Sequence, residues 1–235
     1  MRVNGLLQMI KGDCIDLMKE IPSASIDAIV TDPPYAIPTM VAANRGSTTN
    51  LGDLSLIESV FRTLFAEFER VLQPTGRIFM FCDGVSYPVI FRAAYGRYSS
   101  ALMVWNKGRI GMGREFRKSH ELIMHCWQKT TPVYSDGIGR PDVLTCKPVG
   151  ENREHPAQKP VELIKQLLAV CGDVILDPFA GSGSTGVACK ELGKSFLGFE
   201  IQESYHAIAV QRIEAAGPQK ELCAVPVTAE AATLF

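Results

Sequence analysis

The sequence has no surplus of charge of either sign: 24 Lys and Arg stand against 25 Asp and Glu over 235 residues. That balance excludes a globally basic nucleic-acid or membrane binder, so any anion-binding surface has to be local. There is no C-x-x-C pair either, although cysteines occur at seven positions, 14, 82, 126, 146, 171, 189 and 223. An odd set at such spacings speaks against a disulfide framework or a paired-cysteine zinc site, and fits reduced, buried thiols. No apolar run approaches the roughly 18 residues of a membrane span, and "MRVNGLLQMIKGD" lacks the apolar centre and cleavage site of a signal peptide. Internal repeats, low-complexity tracts and a recognisable metal-ligand set are also missing. What remains is a chain long enough for one cored domain, expected to be soluble and intracellular.

What is present is an alternation. Short β-branched or apolar runs recur as "DAIV" (27–30), "GRIFMF" (76–81), "ALMVW" (101–105), "ELIMHCW" (121–127), "DVILD" (173–177) and "SFLGFE" (195–200), and read as buried strands. Helical patterns lie between them. In "SLIESVFRTLFAEFERVL", Leu56, Val60, Leu64, Phe68 and Leu72 recur every fourth residue behind Ser55 and Glu58, which are spaced as a capping box. Three further helices are expected: "VELIKQLLAV" after Pro160, "TGVACKEL" before Gly193 and "SYHAIAVQRIEAA" before Gly217. Strands alternating with helices predict an α/β fold with a mostly parallel sheet covered on both faces. Two stretches break the rhythm, residues 38–53 and 128–155, and both read as irregular excursions.

Two segments carry chemistry. "TDPPYAI", from Thr31 to Ile37, sets an acid, a stiff double-proline turn and an aromatic ring directly after a strand. In "DVILDPFAGSGSTGVACKELGKSFLGFE", Gly181, Gly183 and Gly186 spell G-x-G-x-x-G between a strand and a helix, and Glu200 closes the next strand. Such a loop admits a ligand close to the backbone, and the acid suits ribose hydroxyls, so a nucleoside-bearing cofactor is expected. NAD is one possibility, which makes a dehydrogenase the competing reading. Asp177, Pro178 and Phe179 oppose it, because a carboxylate at that point repels a pyrophosphate but suits an ammonium group. S-adenosylmethionine has the ammonium, the sulfonium and the single ribose that this arrangement favours.

With these motifs in view, the chain resembles the β group of amino-methylating DNA methyltransferases. "TDPPY" looks like the family's catalytic motif, "DPFAGSGSTG" its cofactor loop, "HPAQKPVELIKQLL" the element before that loop, and "GDCIDLMKEIP" with "SIDAIVTDPPY" its N-terminal opening. The resemblance covers residues 11–37 and 155–213, more weakly 55–127. It implies a Rossmann-like, S-adenosylmethionine-dependent methyltransferase sheet in permuted order, with the catalytic motif ahead of the cofactor loop. It also implies a cytoplasmic enzyme, in a bacterium or in the host of a phage.

The same resemblance distributes roles. Asp32 and the Pro33 carbonyl, held by Pro34, accept hydrogen bonds from the target amine, and Tyr35 stacks on the flipped base. Asp13, with Cys14 beside it, matches the acid near the cofactor adenine, and Lys159 a residue near the cofactor carboxylate. Asp177 and the loop Phe179, Ala180, Gly181, Ser182 and Gly183, with Thr185 behind it, match the methionine side, and Glu200 the ribose. No covalent enzyme intermediate is implied, so no cysteine has to act as nucleophile.

Double-stranded DNA is the implied partner. The densest basic stretch, "KGRIGMGREFRK", holds Lys107, Arg109, Arg114, Arg117 and Lys118 against the single acid Glu115, which suits phosphate contact. His125 in "LIMHCW" reads as a core residue, and His120-Glu121 resembles a family feature at the start of the last strand. A target-recognition insertion is expected over about 106–155 and a flexible tail from about 218. Because the expected recognition segments are short, specificity is expected to need a homodimer. "ATLF", at residues 232–235, faintly resembles a sliding-clamp-binding peptide without its glutamine. Aspartate heading the catalytic motif leans toward adenine N6. Cytosine N4, an RNA substrate and a catalytically silent DNA-binding module stay open beside it.

Overall fold

The computed structural model describes residues 6–34, 52–111, 115–128, 131, 139–150 and 158–217. In chain order these form β1 (Leu7–Lys11), α1 (Cys14–Lys19), β2 (Ile26–Thr31), α2 (Gly52–Val71), β3 (Leu72–Cys82), α3 (Tyr87–Ala94) and β4 (Ser99–Asn106). There follow β5 (His120–Trp127), β6 (Val143–Thr145), α4 (Val161–Leu168), β7 (Val174–Asp177), α5 (Ser184–Glu191), β8 (Ser195–Glu200) and α6 (Glu203–Ala215). The eight strands make one sheet in the order β1-β8-β7-β2-β3-β5-β4-β6. Every neighbouring pair is parallel except the two made by β5, which runs against β3 and β4. The α/β class and the Rossmann-like sheet follow the sequence, and the catalytic motif precedes the glycine loop along the chain.

Period-two alternation buries both faces of the sheet. Ile29, Ile78, Met80 and Leu176 point to a layer with Met18 of α1, Phe61, Leu64, Phe65 and Phe68 of α2, and Ile90 of α3. Ala28, Val30, Phe79, Phe81 and Ile175 point the other way, onto Leu163 and Leu167 of α4, Val187 and Ala188 of α5, and Ile213 of α6. Each fully buried side chain of this size contributes about 1.5–3 kcal/mol.

Three expectations need correction. In α2 the buried stripe is Phe61, Leu64, Phe65, Phe68 and Val71, while Val60 is 38% exposed. A repeat of four drifts around a 3.6-residue helix, whereas steps of three and four alternate along one face. Nor is Ser55 an N-cap, because α2 already begins at Gly52, and Glu58 instead takes Arg62 at 2.7 Å and Arg92 at 3.0 Å. The stretch 106–155 is not one insertion: β5 sits between β3 and β4, and β6 pairs with β4 through Val104 and Val143. Among the described residues, 107–111 and 115–119 lie between β4 and β5 and form the β4–β5 connection. The tail from 218 lies outside the described residues.

The sheet also contains its own cleft. After β2 the chain runs to α2 on one face, and after β7 it runs to α5 on the other. These strands are neighbours, so their carboxyl ends part around a crevice, the position where open α/β sheets bind ligands. The β4–β5 connection rises from the same edge, because β4 runs parallel to β3 and β2.

Candidate active site

A cavity of about 570 Å³ fills this crevice. On its floor, Glu200 at the end of β8 accepts the Gly181 amide at 3.0 Å and, through its other oxygen, the Gln202 amide at 2.8 Å. The glycine loop is therefore tied to the next strand by the carboxylate that closes it. Gly181 has φ 50° and Gly183 φ 78°, left-handed values that glycine adopts without strain. A Cβ at Gly181 meets nothing within 4 Å, whereas one at Gly183 comes within 2.9 Å of the Ala209 Cβ in α6. Gly186 is needed for packing, since a Cβ there falls 2.7 Å from the Phe196 ring and 2.3 Å from Ile213. Gly186→Ala should lower the unfolding free energy by about 1–3 kcal/mol, the usual cost of overfilling a packed contact, as read by chemical denaturation.

Asp177, 4% exposed at the end of β7, accepts the Thr185 hydroxyl at 2.6 Å and the Phe179 amide at 3.1 Å. Burial, with Asp32 adding a smaller repulsion, pushes its carboxyl up to about 7 despite those hydrogen bonds. A buried acid with no cation pairing it among the described residues is suited to an ammonium group. Ser184 Oγ, which also lines the cavity, is buried without a hydrogen-bond partner among the described residues. Asp13 caps α1 through a 2.8 Å bond from the Ile15 amide and faces the cavity beside Cys14. Burial, then Asp13, pushes the Cys14 thiol up to about 12, so it stays protonated.

The second half of the cleft is built around the double proline. Asp32, Pro33 and Pro34 leave β2 directly into the cavity wall, with Pro33 buried and Pro34 exposed. Tyr35 lies outside the described residues. Lys159, expected near a cofactor carboxylate, lines the cavity but places its ammonium 2.5 Å from Asp32 Oδ2 and 3.0 Å from Glu121 Oε2. That ammonium also stands 4.9 Å from the centre of the Phe81 ring.

Of the basic stretch, Arg109, Arg117 and Lys118 are exposed along the β4–β5 connection, while Arg114 lies outside the described residues. Lys107 is turned inward, donating to Glu121 at 2.6 Å. The base of the connection is ordered by backbone bonds from Lys107 to Ser119 at 2.9 Å and from Gly111 to Lys118 at 2.7 Å. Phe116, beside Arg117 and Lys118, is 97% exposed. His125 stacks on Phe79 at 4.5 Å, and burial lowers it to about 4, so it is a neutral core residue.

Sequence reading missed two participants. Arg212 of α6 donates to the Ser182 carbonyl and, at 3.1 Å, to its hydroxyl, clamping the glycine loop from outside. Glu121 was noted for its position but was given no role in the site. Neither has a local signal: Arg212 is one cation on a mixed helix, and Glu121 opens a strand.

The fold and cleft are those of a methyltransferase. The M1.HpyAVI structure, a complex with SAM, superposes with TM-score 0.68 at 22% identity, covering 88% of this chain and 98% of that one. The cytosine-N4-specific PvuII DNA methyltransferase gives TM-score 0.69 at 18% identity, with 89% and 86% covered. In sequence, the YubD methylase of Escherichia coli strain K12 is 31% identical over 88% of this chain and 90% of its own. The type II methyltransferase M.HinfI of Haemophilus influenzae is 28% identical over 92% and 71%. A family model described as DNA methylase matches residues 26–211. The chain belongs to the DNA methylase family whose members methylate adenine N6 or cytosine N4.

Proposed function

We propose that the protein is a site-specific DNA methyltransferase that transfers the methyl group of S-adenosylmethionine to adenine N6 in duplex DNA. The observation that carries this reading is the adjacency, on neighbouring strand ends, of a nucleoside-sized cavity floored by Glu200 and Asp177 and the Asp32-Pro33 turn. S-adenosylmethionine supplies an activated methyl group. Glu200 suits its ribose hydroxyls, Asp177 its ammonium, and the wall from Phe179 to Ser182 its methionine chain.

The amine of adenine is a weak nucleophile, its lone pair being drawn into the ring. Asp32 Oδ and the Pro33 carbonyl are two acceptors for the amine hydrogens. Accepting them favours a pyramidal nitrogen and stabilises the positive charge that grows there on transfer. Pro33 and Pro34 stiffen the turn, so these acceptors need little reorganisation. The base has to leave the duplex to reach them, and Tyr35 is assigned as its stacking surface. Arg109, Arg114, Arg117 and Lys118 are assigned to phosphate, and Phe116 offers an aromatic face among them. A homodimer is proposed to widen the footprint, and a strictly monomeric species on cognate DNA in sedimentation would contradict it.

Aspartate at the head of the motif favours adenine over cytosine. Labelled methyl transfer to unmethylated DNA, followed by digestion to nucleosides, tests this. Label in N6-methyladenosine supports the reading; label in N4-methylcytidine keeps the chemistry and changes the base. Label only in RNA, or NAD binding without affinity for S-adenosylmethionine, overturns it.

Asp177 also sets a pH dependence. Its raised value means that the free protein holds a proton there between pH 4 and 7, where the unfolded chain does not. The free protein therefore loses stability as pH rises through that window. Binding an ammonium requires the ionised form, so affinity for S-adenosylmethionine should rise about tenfold per pH unit below 7 and then level off. Calorimetric titration from pH 5.5 to 7.5 checks this, and Asp177→Asn should bind weakly with no such slope.

A further inference from the structure

Four charged groups run in line from the cleft to the root of the basic connection. Asp32 and Glu121 share the Lys159 ammonium at 2.5 and 3.0 Å, and Glu121 uses its other oxygen to hold Lys107 at 2.6 Å. Lys159 is 7% exposed, so these contacts lie where water screens little. Burial opposes the charge of Glu121, but Lys159 and Lys107 outweigh it and hold its carboxyl below the ordinary range. Burial likewise opposes the charge of Lys159, and Asp32 with Glu121 keeps it above the ordinary lysine value. Glu121 and Lys159 therefore both stay ionised near neutrality.

The arrangement matters because Asp32 has two duties that conflict. It needs a fixed orientation, which an ion pair provides. It also needs undiminished acceptor strength toward the amine, which a dedicated lysine partner weakens. Resting on the proposed function above, we propose that Glu121 is a positioning residue for Asp32. By sharing Lys159 it keeps Asp32 oriented but only partly neutralised, and through Lys107 it links that balance to phosphate bound at the β4–β5 connection. When Lys107 turns outward to a phosphate, Glu121 loses its second cation and draws Lys159 more strongly. Asp32 is then released toward the base. Correct docking of DNA thereby strengthens the acceptor that the reaction needs.

The test uses the full-length protein with saturating S-adenosylmethionine and DNA. Glu121→Gln keeps the side-chain shape and removes the competing charge, so that of the two carboxylates only Asp32 still faces Lys159. Its kcat should fall by up to about a hundredfold, a range expected when a reacting group is misplaced or mismatched from a distance. KM for S-adenosylmethionine, DNA affinity and the unfolding midpoint should stay close to those of the wild type. Glu121→Asp, which keeps the charge, should recover part of kcat. Lys107→Ala leaves Glu121 without its second cation, as the outward turn of Lys107 does. At saturating DNA, kcat should therefore hold or rise in the wild-type background and be unchanged in the Glu121→Gln background, because the coupling runs through Glu121. Wild-type kcat in Glu121→Gln, or a fall of kcat on Lys107→Ala that is the same in both backgrounds, overturns the inference. A loss of kcat matched by lost folding in Glu121→Gln, without recovery in Glu121→Asp, assigns Glu121 a merely structural role and also overturns it. Wild-type protein that transfers no methyl group to DNA contradicts the functional reading itself, a result distinct from all of these.

Discussion

Asp32→Asn should reduce kcat by about 10²–10³-fold, the cost typical of removing one preorganised polar contact to charge that develops in a transition state. The substitution keeps the size of the side chain and one carbonyl acceptor, but removes the negative charge facing the amine. Two features of the site limit collateral damage. Lys159 retains Glu121 at 3.0 Å, so its ammonium is not stranded. The contacts of Glu200 to Gly181 and of Asp177 to Thr185 do not involve Asp32, so affinity for S-adenosylmethionine should hold or rise slightly as a nearby negative charge is lost from Asp177. Single-turnover transfer measured beside cofactor titration separates these effects. A variant that binds cofactor normally and transfers at the wild-type rate would remove Asp32 from the chemistry.

Lys159→Met should cost about 3 kcal/mol of stability, the lower end of the range for breaking a buried pair by deleting one partner. Lys159 is the most buried member of its cluster, while Asp32 and Glu121 keep side-chain exposures of 19% and 25%. Water reaches the two acids in part, and this holds the penalty toward the low end. The sign of the pH dependence follows from Glu121. Its carboxyl is depressed in the folded protein, so its contribution is present above the ordinary carboxylate value and is lost as pH falls through the depressed one. The gap between wild type and Lys159→Met should therefore narrow in acid, as Glu121 takes up a proton and its attraction to Lys159 is lost. Denaturation at pH 7 and pH 4 checks both size and sign. Methyl transfer should be lost as well, since Asp32 and Glu121 then lose the ammonium that both of them contact at the cleft.

What could be read beforehand follows from how far each signal reaches along the chain. β2, β3, β7 and β8 are continuous apolar runs because helices cover both faces of the sheet, and such runs are visible residue by residue. The glycine loop and the Asp32-Pro33-Pro34 turn are likewise contiguous, and the structure brings both to one crevice. β1 and β6 were not foreseen. β1 is a five-residue edge strand that never becomes fully buried, and β6 has three residues of which only Leu144 is buried. Neither carries enough apolar contrast to stand out. The Asp32, Lys159, Glu121 and Lys107 line was beyond the same kind of reading. It joins four segments through strand register, in which Asn106 faces His120 across β4 and β5, and through the approach of Lys159 to the end of β2. Spacing along the chain fixed where Lys159 lies but not which carboxylates it meets.

The most direct test of the proposed chemistry is a crystal structure of the protein with S-adenosylhomocysteine and duplex DNA containing its recognition site. The account predicts an adenine turned out of the helix, its N6 within hydrogen-bond distance of Asp32 and the Pro33 carbonyl, with the cofactor ribose on Glu200. A target base that stays stacked in the duplex, or an extruded base held away from Asp32 and Pro33, would contradict it.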